Sequence, residues 1–207
     1  MDLYPNKISG SAKICSEKSE TFLARMHRIS QLRRDDLFDP KAEFNFSNKL
    51  GDVEQDPFIG YVGRNYFEAS VKLCFIGRSN AESNKFQQQD REINNKLVAF
   101  RNASVSRSKA AYEDYRLCYE QIIPEWKIGR YPKYLLEKLK MSFLDITYAN
   151  IVPFRYVKQP SQKVYSISFE NFTSEFLDIV SPDIIIPFSW DSLTIFCHPG
   201  PPGCIFL

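Results

Sequence analysis

Three short apolar stretches, each closed by glycine or proline, constrain the fold of this chain most strongly. They cover residues 71–76, 143–152 and 183–187, and each has the length and composition of a buried strand. Helix-forming patterns separate them, at 90–102, 108–123, 133–139 and 168–180. Strands that alternate with helices are typical of a central parallel sheet covered by helices. We therefore predict an α/β fold with three layers, α/β/α, around a mostly parallel four-stranded sheet.

The part of the chain before the first of these strands predicts a helical extension. Apolar residues recur at helical spacing over 19–34, and Asp39-Pro40 marks a break. The glycine-flanked aromatic segment 60–67 predicts a loop packed against the body of the domain. A chain of 207 residues suits one domain with a substantial core. We predict a single domain over 1–207, with residues 1–55 as its N-terminal extension.

Cysteine and histidine usage argues against a disulfide framework and against a metal centre. The chain has five cysteines without a Cys-x-x-Cys pair, and two histidines. No apolar run approaches the roughly 20 residues of a membrane helix, and the first residues lack the pattern of a signal peptide. The formal net charge of +2 says little about partners. We predict a cytoplasmic monomer that needs neither metal nor cofactor.

The segments at the ends of the three strands carry a family resemblance. They are Leu73–Glu82, with Gly77 after an apolar run, Ile146–Arg155, with Asn150 before Pro153, and Ser181–Phe188, with a Pro-Asp start. In this order and spacing the chain resembles the uracil-DNA glycosylase superfamily over residues 60–190. The resemblance implies that the chain binds DNA, flips a nucleobase out of the helix and hydrolyses its N-glycosidic bond.

The first segment departs from the common pattern of that superfamily. Ala81 follows Asn80 where the superfamily usually has proline, and Gly-Gln-Asp-Pro-Tyr is absent. The loop is nearer to the Gly-x-Asn-Pro form of the mismatch-specific, thymine-type members. We therefore expect a substrate other than ordinary uracil, for example a modified cytosine in phage DNA, which would give the protein a role in antiviral defence.

The chemistry of base excision points to several candidate catalytic residues. Positive charge builds on the sugar and negative charge on the departing base, so a polar side chain must orient water while donors stabilise the base. The resemblance assigns the water to Asn80, beside Ser79; Glu82 and Asp90 are alternative bases. His198 lies in a Pro- and Gly-rich segment that is similar to the superfamily's His-Pro-Ser-Pro loop. Asn80 as a turn residue, and His198 in a plain tail, remain the alternatives.

The base-binding candidates follow from the same resemblance. Asn150 offers an amide donor and acceptor that can pair bidentately with a base edge. Gly77 opens the first strand-end loop, and Phe86 and Phe154 are candidates for stacking on a flipped base. Each phenylalanine has core packing as its alternative role.

Cations beside the strand ends are candidates for phosphate contacts. Arg78, Arg155 and Lys158 have the positions that suit this role. A catalytically inactive DNA-binding module of the same fold is a rival interpretation. A different α/β hydrolase or nucleotide-binding domain is disfavoured, because the sequence lacks Gly-x-x-x-x-Gly-Lys and Gly-x-Ser-x-Gly.

Overall fold

The computed structural model describes residues 22–39, 44–46, 55–81, 87–122, 130–157, 159–188 and 205–206. One sheet runs through this part of the chain. Its strands are β1 (Tyr61–Val62), β2 (Leu73–Ala81), β3 (Ile146–Tyr156), β4 (Ile184–Pro187) and β5 (Ile205–Phe206). Their spatial order is β1-β3-β2-β4-β5, with β1 antiparallel to β3 and the other neighbours parallel. The predicted α/β class is confirmed. The prediction of a mostly parallel sheet is wrong, because β1 joins β3 in antiparallel orientation and the sheet is therefore mixed.

Helices occupy the segments between the strands. They are α1 (22–30), α2 (Arg34–Leu37), α3 (Gln87–Arg101), α4 (Val105–Ile122), α5 (Arg130–Leu139), α6 (Gln162–Ser168) and α7 (Ser174–Val180). The predicted helix over 168–180 is the later part of a longer helical run, in which the π-helical turn Phe169–Thr173 joins α6 to α7. The predicted helix over 19–34 ends early. Arg33 is extended, and its backbone N–H donates to the Asp36 carboxylate at 2.9 Å, which starts a new helix.

The strand β2 continues past its predicted end, so the prediction of a loop from Arg78 onward is wrong as far as Ala81. Its extension pairs with β3, which itself runs through Pro153 instead of ending there. The register between the two strands shifts between Ser79 and Ala81. Proline is tolerated in a sheet at such an irregularity, because the ladder there is already broken.

The segment before β2 is also more regular than a loop. Tyr61 and Val62 pair with Tyr148 and Thr147 of β3, so the prediction of a loop is wrong for these two residues. Gly60 has φ +84°, a conformation that favours glycine, and it turns the chain into β1. Two strand residues are too few to produce a visible alternation in sequence.

The core joins the sheet to the first helix. Met26 and Ile29 of α1 are at most 2% exposed and belong to the main apolar cluster. Arg25 ties α1 to α7 through ion pairs with Glu175, at 3.0 Å, and with Asp178. The described part of the predicted extension is therefore packed into the body of the domain. Among the described residues no helix is long and apolar enough to cross a membrane.

The buried hydroxyl of Tyr112 in α4 allows a test of the packing of this core. Its ring packs against Phe22 and Phe100, at centroid distances of 5.4 and 5.3 Å, and its buried hydroxyl has no hydrogen-bond partner within the described ranges. An unsatisfied buried hydroxyl costs about 1–3 kcal/mol. We expect Tyr112→Phe to keep or raise the free energy of unfolding, by up to about 2 kcal/mol, in urea titrations. A loss above about 1 kcal/mol would show that the hydroxyl is bonded in solution.

Candidate functional site

The topology of the sheet directs attention to the carboxyl end of β2. The chain leaves β2 to form β3 on one side and later returns to form β4 on the other side. In open α/β sheets such a reversal leaves a crevice beyond the carboxyl ends of the strands, where ligands bind. Gly77 lies in the middle of β2, and the polar residues after it form the carboxyl half of the strand.

Asn150 and Gly77 are direct neighbours in the sheet register. Asn150 is fully buried, and its Oδ1 accepts a hydrogen bond from the hydroxyl of Tyr148 at 2.7 Å. A Cβ added at Gly77 would lie 2.3 Å from that oxygen and 2.8 Å from the Tyr148 hydroxyl. Only glycine therefore leaves room for this hydrogen-bonded pair.

Aromatic rings pack around Tyr148. Phe58 and Phe188 have ring centroids 5.6 and 6.2 Å from that of Tyr148, and Tyr119 lies 4.9 Å from Phe58. Burial raises the pKa of Tyr148 above its ordinary value, although the hydrogen bond to Asn150 opposes the shift. Burial, with Tyr115 and Asp90 nearby, likewise holds the pKa of Tyr119 well above its usual range. Both hydroxyls therefore stay protonated at neutral pH.

A narrow cleft of about 50 Å³ lies next to this cluster. Its walls are formed by Asp56, Pro57, Phe58, Asp90, Ile93, Asn94, Leu97, Tyr115, Tyr119, Pro153 and Arg155. Asp90, in the first turn of α3, forms an ion pair with Arg155 at 2.6 Å, and each side chain is 11% exposed. Asp56 is 4% exposed and accepts from Arg101 at 2.6 Å. The cleft can hold a few water molecules beside two buried carboxylates.

The structure brings two pairs of predicted site residues together, and the second pair lines the cleft. Gly77 lies against Asn150, and Asp90 lies against Arg155. Arg78 is exposed, and Ser79 is half-buried inside β2. Asn80 is also inside β2, where the structure describes its backbone.

Other predicted residues have different surroundings or are not described. Phe154 is fully buried and packs edge-on against Phe38 and Phe46, at 6.1 and 6.2 Å. It is a core residue in this conformation, which is the alternative to base stacking that the sequence left open. The remaining candidates lie outside the described residues: Glu82, Phe86, Lys158 and His198.

The sequence alone did not point to Tyr119, Tyr148 or Asp56 as site residues. Tyr148 stands two residues before Asn150 on one strand, and this spacing places both side chains on the same face. The position of Tyr148 next to Asn150 could therefore have been predicted from the sequence. Tyr119 and Asp56 come from distant segments, and no local pattern marks their approach to the cleft.

The described residues contain no group of three or more histidine, cysteine, aspartate or glutamate side chains that could hold a metal ion. A scan of the chain against models of known protein families gives no match, and a search of curated proteins gives none either.

Proposed function

We propose that this protein is a monofunctional DNA glycosylase, which flips a damaged or modified nucleobase out of DNA and hydrolyses its N-glycosidic bond. The observation that carries the proposal is the side-by-side position of Gly77 and Asn150. They come from the first two segments of the resemblance and lie side by side just beyond the level at which β4 ends. In open α/β sheets ligands bind beyond the carboxyl ends of the strands, which supports a site in this direction. The proposal includes the three-layer arrangement, action as a monomer and a cytoplasmic location.

The cleft offers groups suited to the hydrolysis. Water adds to C1′ of the sugar as the bond to the base nitrogen breaks, the base leaves with the bonding electron pair, and the proton that the water loses passes to the departing base or to solvent. Asp90, oriented by Arg155, is placed to hold a water molecule in the cleft, with Asn80 as the alternative that the resemblance implies. Asn150 is the base-recognising residue. Arg78 is an exposed cation at the same edge, suited to a phosphate.

Access to Asn150 requires a local opening. The side chain is fully buried, and Phe58 and Phe188 pack over its partner Tyr148. A flipped base can reach Asn150 only after the residues that bury it move. The altered first segment, with Ala81 after Asn80, favours a modified base. A modified cytosine in phage DNA, and with it a defence role, is our proposed target.

A base-release assay tests the activity. The protein is incubated with unmodified, uracil-containing and mismatched DNA, and with phage DNA that carries hydroxymethylated or glucosylated cytosine. Alkali then cleaves abasic sites. We expect breaks in one of these DNAs, and a loss of about 100-fold or more with Asn150→Ala, because removal of one preorganised donor has that effect. Tyr112→Phe, at a buried residue that does not line the cleft, is the control that should retain activity.

The rival function is a DNA-binding module without activity. It is favoured by the full burial of Asn150, which keeps its side chain from contact with DNA in this conformation, and by the ion pair that Arg155 forms with Asp90. Binding to these DNAs with no breaks after long incubation would refute the glycosylase and support the module.

A further inference from the structure

We propose that Asn94 is a further base-recognising residue, whose carboxamide pairs with the edge of a neutral, planar base that enters the cleft. The inference rests on the proposed function and deepens it, because it names a residue of the cleft wall that contacts the substrate. The contact adds to that of Asn150, which a base can reach only after the residues that bury it move.

The charged side chains of the cleft already neutralise one another. Asp90 forms its ion pair with Arg155 at 2.6 Å. Asp56 accepts from Arg101 at 2.6 Å and also from Arg33. A charged ligand would have to displace one of these partners and leave a buried charge uncompensated, which is strongly unfavourable. The cleft therefore favours a neutral ligand.

Asn94 provides the polar group that remains for such a ligand. It lines the cleft, is half-buried, and makes no hydrogen bond within the described part of the chain. The tyrosines of the wall are engaged instead, because Tyr115 donates to the carbonyl oxygen of Gly60 at 3.2 Å and Tyr119 is hydrogen-bonded to Tyr115. A primary amide carries a donor and an acceptor side by side. It can therefore pair with both atoms of a base edge that presents an acceptor next to a donor.

The apolar part of the cleft wall suits the faces of a ring. Phe58 lines the cleft together with Ile93 and Leu97, and its ring centroid lies 4.9 Å from that of Tyr119. Aromatic and aliphatic side chains of this kind pack against the faces of an extruded base. The volume of about 50 Å³ is small beside the roughly 150 Å³ of a cavity that encloses benzene. In this conformation the cleft therefore admits the edge of a base and not the whole ring.

Helix α3 places Asn94 beside the proposed water site. Asp90 lies four residues earlier, and at this spacing two side chains share one face of a helix, with Cβ atoms about 5–6 Å apart. The carboxylate that holds the water and the amide that binds the base thus come from one helix. The water and the base edge do not compete for the same side chain.

Two adjacent asparagines on α3 provide a matched test. Asn95 is exposed and does not line the cleft, so Asn94→Ala and Asn95→Ala make the same chemical change in the same helix. The probes are free cytosine, cytosine dimethylated at its amino group, which lacks the donors, and acetamide, which has an amide edge without a ring. NMR titration measures the affinities. Single-turnover base release is measured with a duplex that carries one 5-hydroxymethylcytosine.

We expect Asn94→Ala to lower the affinity for cytosine about 10- to 100-fold, which corresponds to the loss of one bidentate pair. Asn95→Ala should change it by less than about twofold. The wild type should bind dimethylated cytosine and acetamide at least about tenfold more weakly than cytosine. Equal cytosine affinities of the two variants would overturn the inference, and so would acetamide binding as tight as that of cytosine.

Unfolding in urea distinguishes a binding role of Asn94 from a structural one. Its amide has no partner to lose among the described residues, so Asn94→Ala should be at least as stable as Asn95→Ala. A midpoint clearly below that of Asn95→Ala would show that the amide supports the fold, and it would overturn the inference.

The affinity and release measurements separate this inference from the proposed function. Base release that Asn94→Ala leaves unchanged would uphold the glycosylase and refute the role of Asn94. Cytosine binding that depends on Asn94, without base release from any DNA, would refute the hydrolysis and uphold the role. The absence of both cytosine binding and base release would refute both.

Discussion

Replacement of Gly77 by alanine is expected to lower the free energy of unfolding by about 3 kcal/mol and to abolish base release. The added methyl group would lie 2.3 Å from the Asn150 oxygen, well inside contact distance. Asn150 is fully buried between strands, so it can move only by breaking its bond to Tyr148 and leaving polar atoms unsatisfied. Urea unfolding and the base-release assay measure the two effects.

A double variant identifies the origin of that loss. Asn150→Ala removes the oxygen that the new methyl group would meet, while the Tyr148 hydroxyl at 2.8 Å is the end of a side chain that can shift. We expect Gly77→Ala combined with Asn150→Ala to unfold within about 1 kcal/mol of Asn150→Ala alone. Additive losses would mean that the cost arises in the backbone of β2 and not in the contact with Asn150.

Replacement of Arg155 by methionine is expected to destabilise the protein by about 3–5 kcal/mol. The change leaves the Asp90 carboxylate, 11% exposed, without the guanidinium that pairs with it at 2.6 Å. An uncompensated buried charge costs far more than the pair itself contributes. Asp90→Leu combined with Arg155→Met removes both charges, and it should therefore be more stable than Arg155→Met alone.

The exposed pair of Lys96 and Asp114 is the matched control for this experiment. Its atoms are 3.7 Å apart, and the side chains are 40% and 63% exposed. Asp114→Asn should cost less than about 1 kcal/mol, because water screens such pairs. If Arg155→Met cost no more than Asp114→Asn in urea titrations, the cleft pair would have to be hydrated in solution, and its role in orienting Asp90 would be lost.

Much of the secondary structure could be predicted because buried segments are recognisable in the sequence, either as apolar runs or as apolar residues at helical spacing. The segments Leu73–Ile76 and Ile184–Pro187 are apolar throughout, and both form strands in the interior of the sheet. Helix α4 begins at Val105 and ends at Ile122, within three residues of the predicted bounds at each end, because its buried side recurs at helical spacing. For such segments the local sequence pattern and the tertiary structure favour the same secondary structure.

The candidate site was only partly readable from the sequence. The pairing of Gly77 with Asn150 could be anticipated, because both follow apolar runs that parallel strands bring to one edge. The ion pair of Asp90 with Arg155 could not, although both residues were candidates for other roles. The sequence pattern around a charged side chain does not indicate which residue, here 65 positions away, will form an ion pair with it.

The sequence by itself determined the α/β class, the main helices and strands, and the edge of the sheet at which polar residues gather. Only the tertiary structure decided that β2 continues to Ala81, that β1 adds an antiparallel strand, and that the Asn150 oxygen is taken by Tyr148. The physical reason is the same in each case. The burial of an apolar segment depends on its own composition. Strand pairing and polar contacts depend instead on which segment, distant in sequence, packs against it.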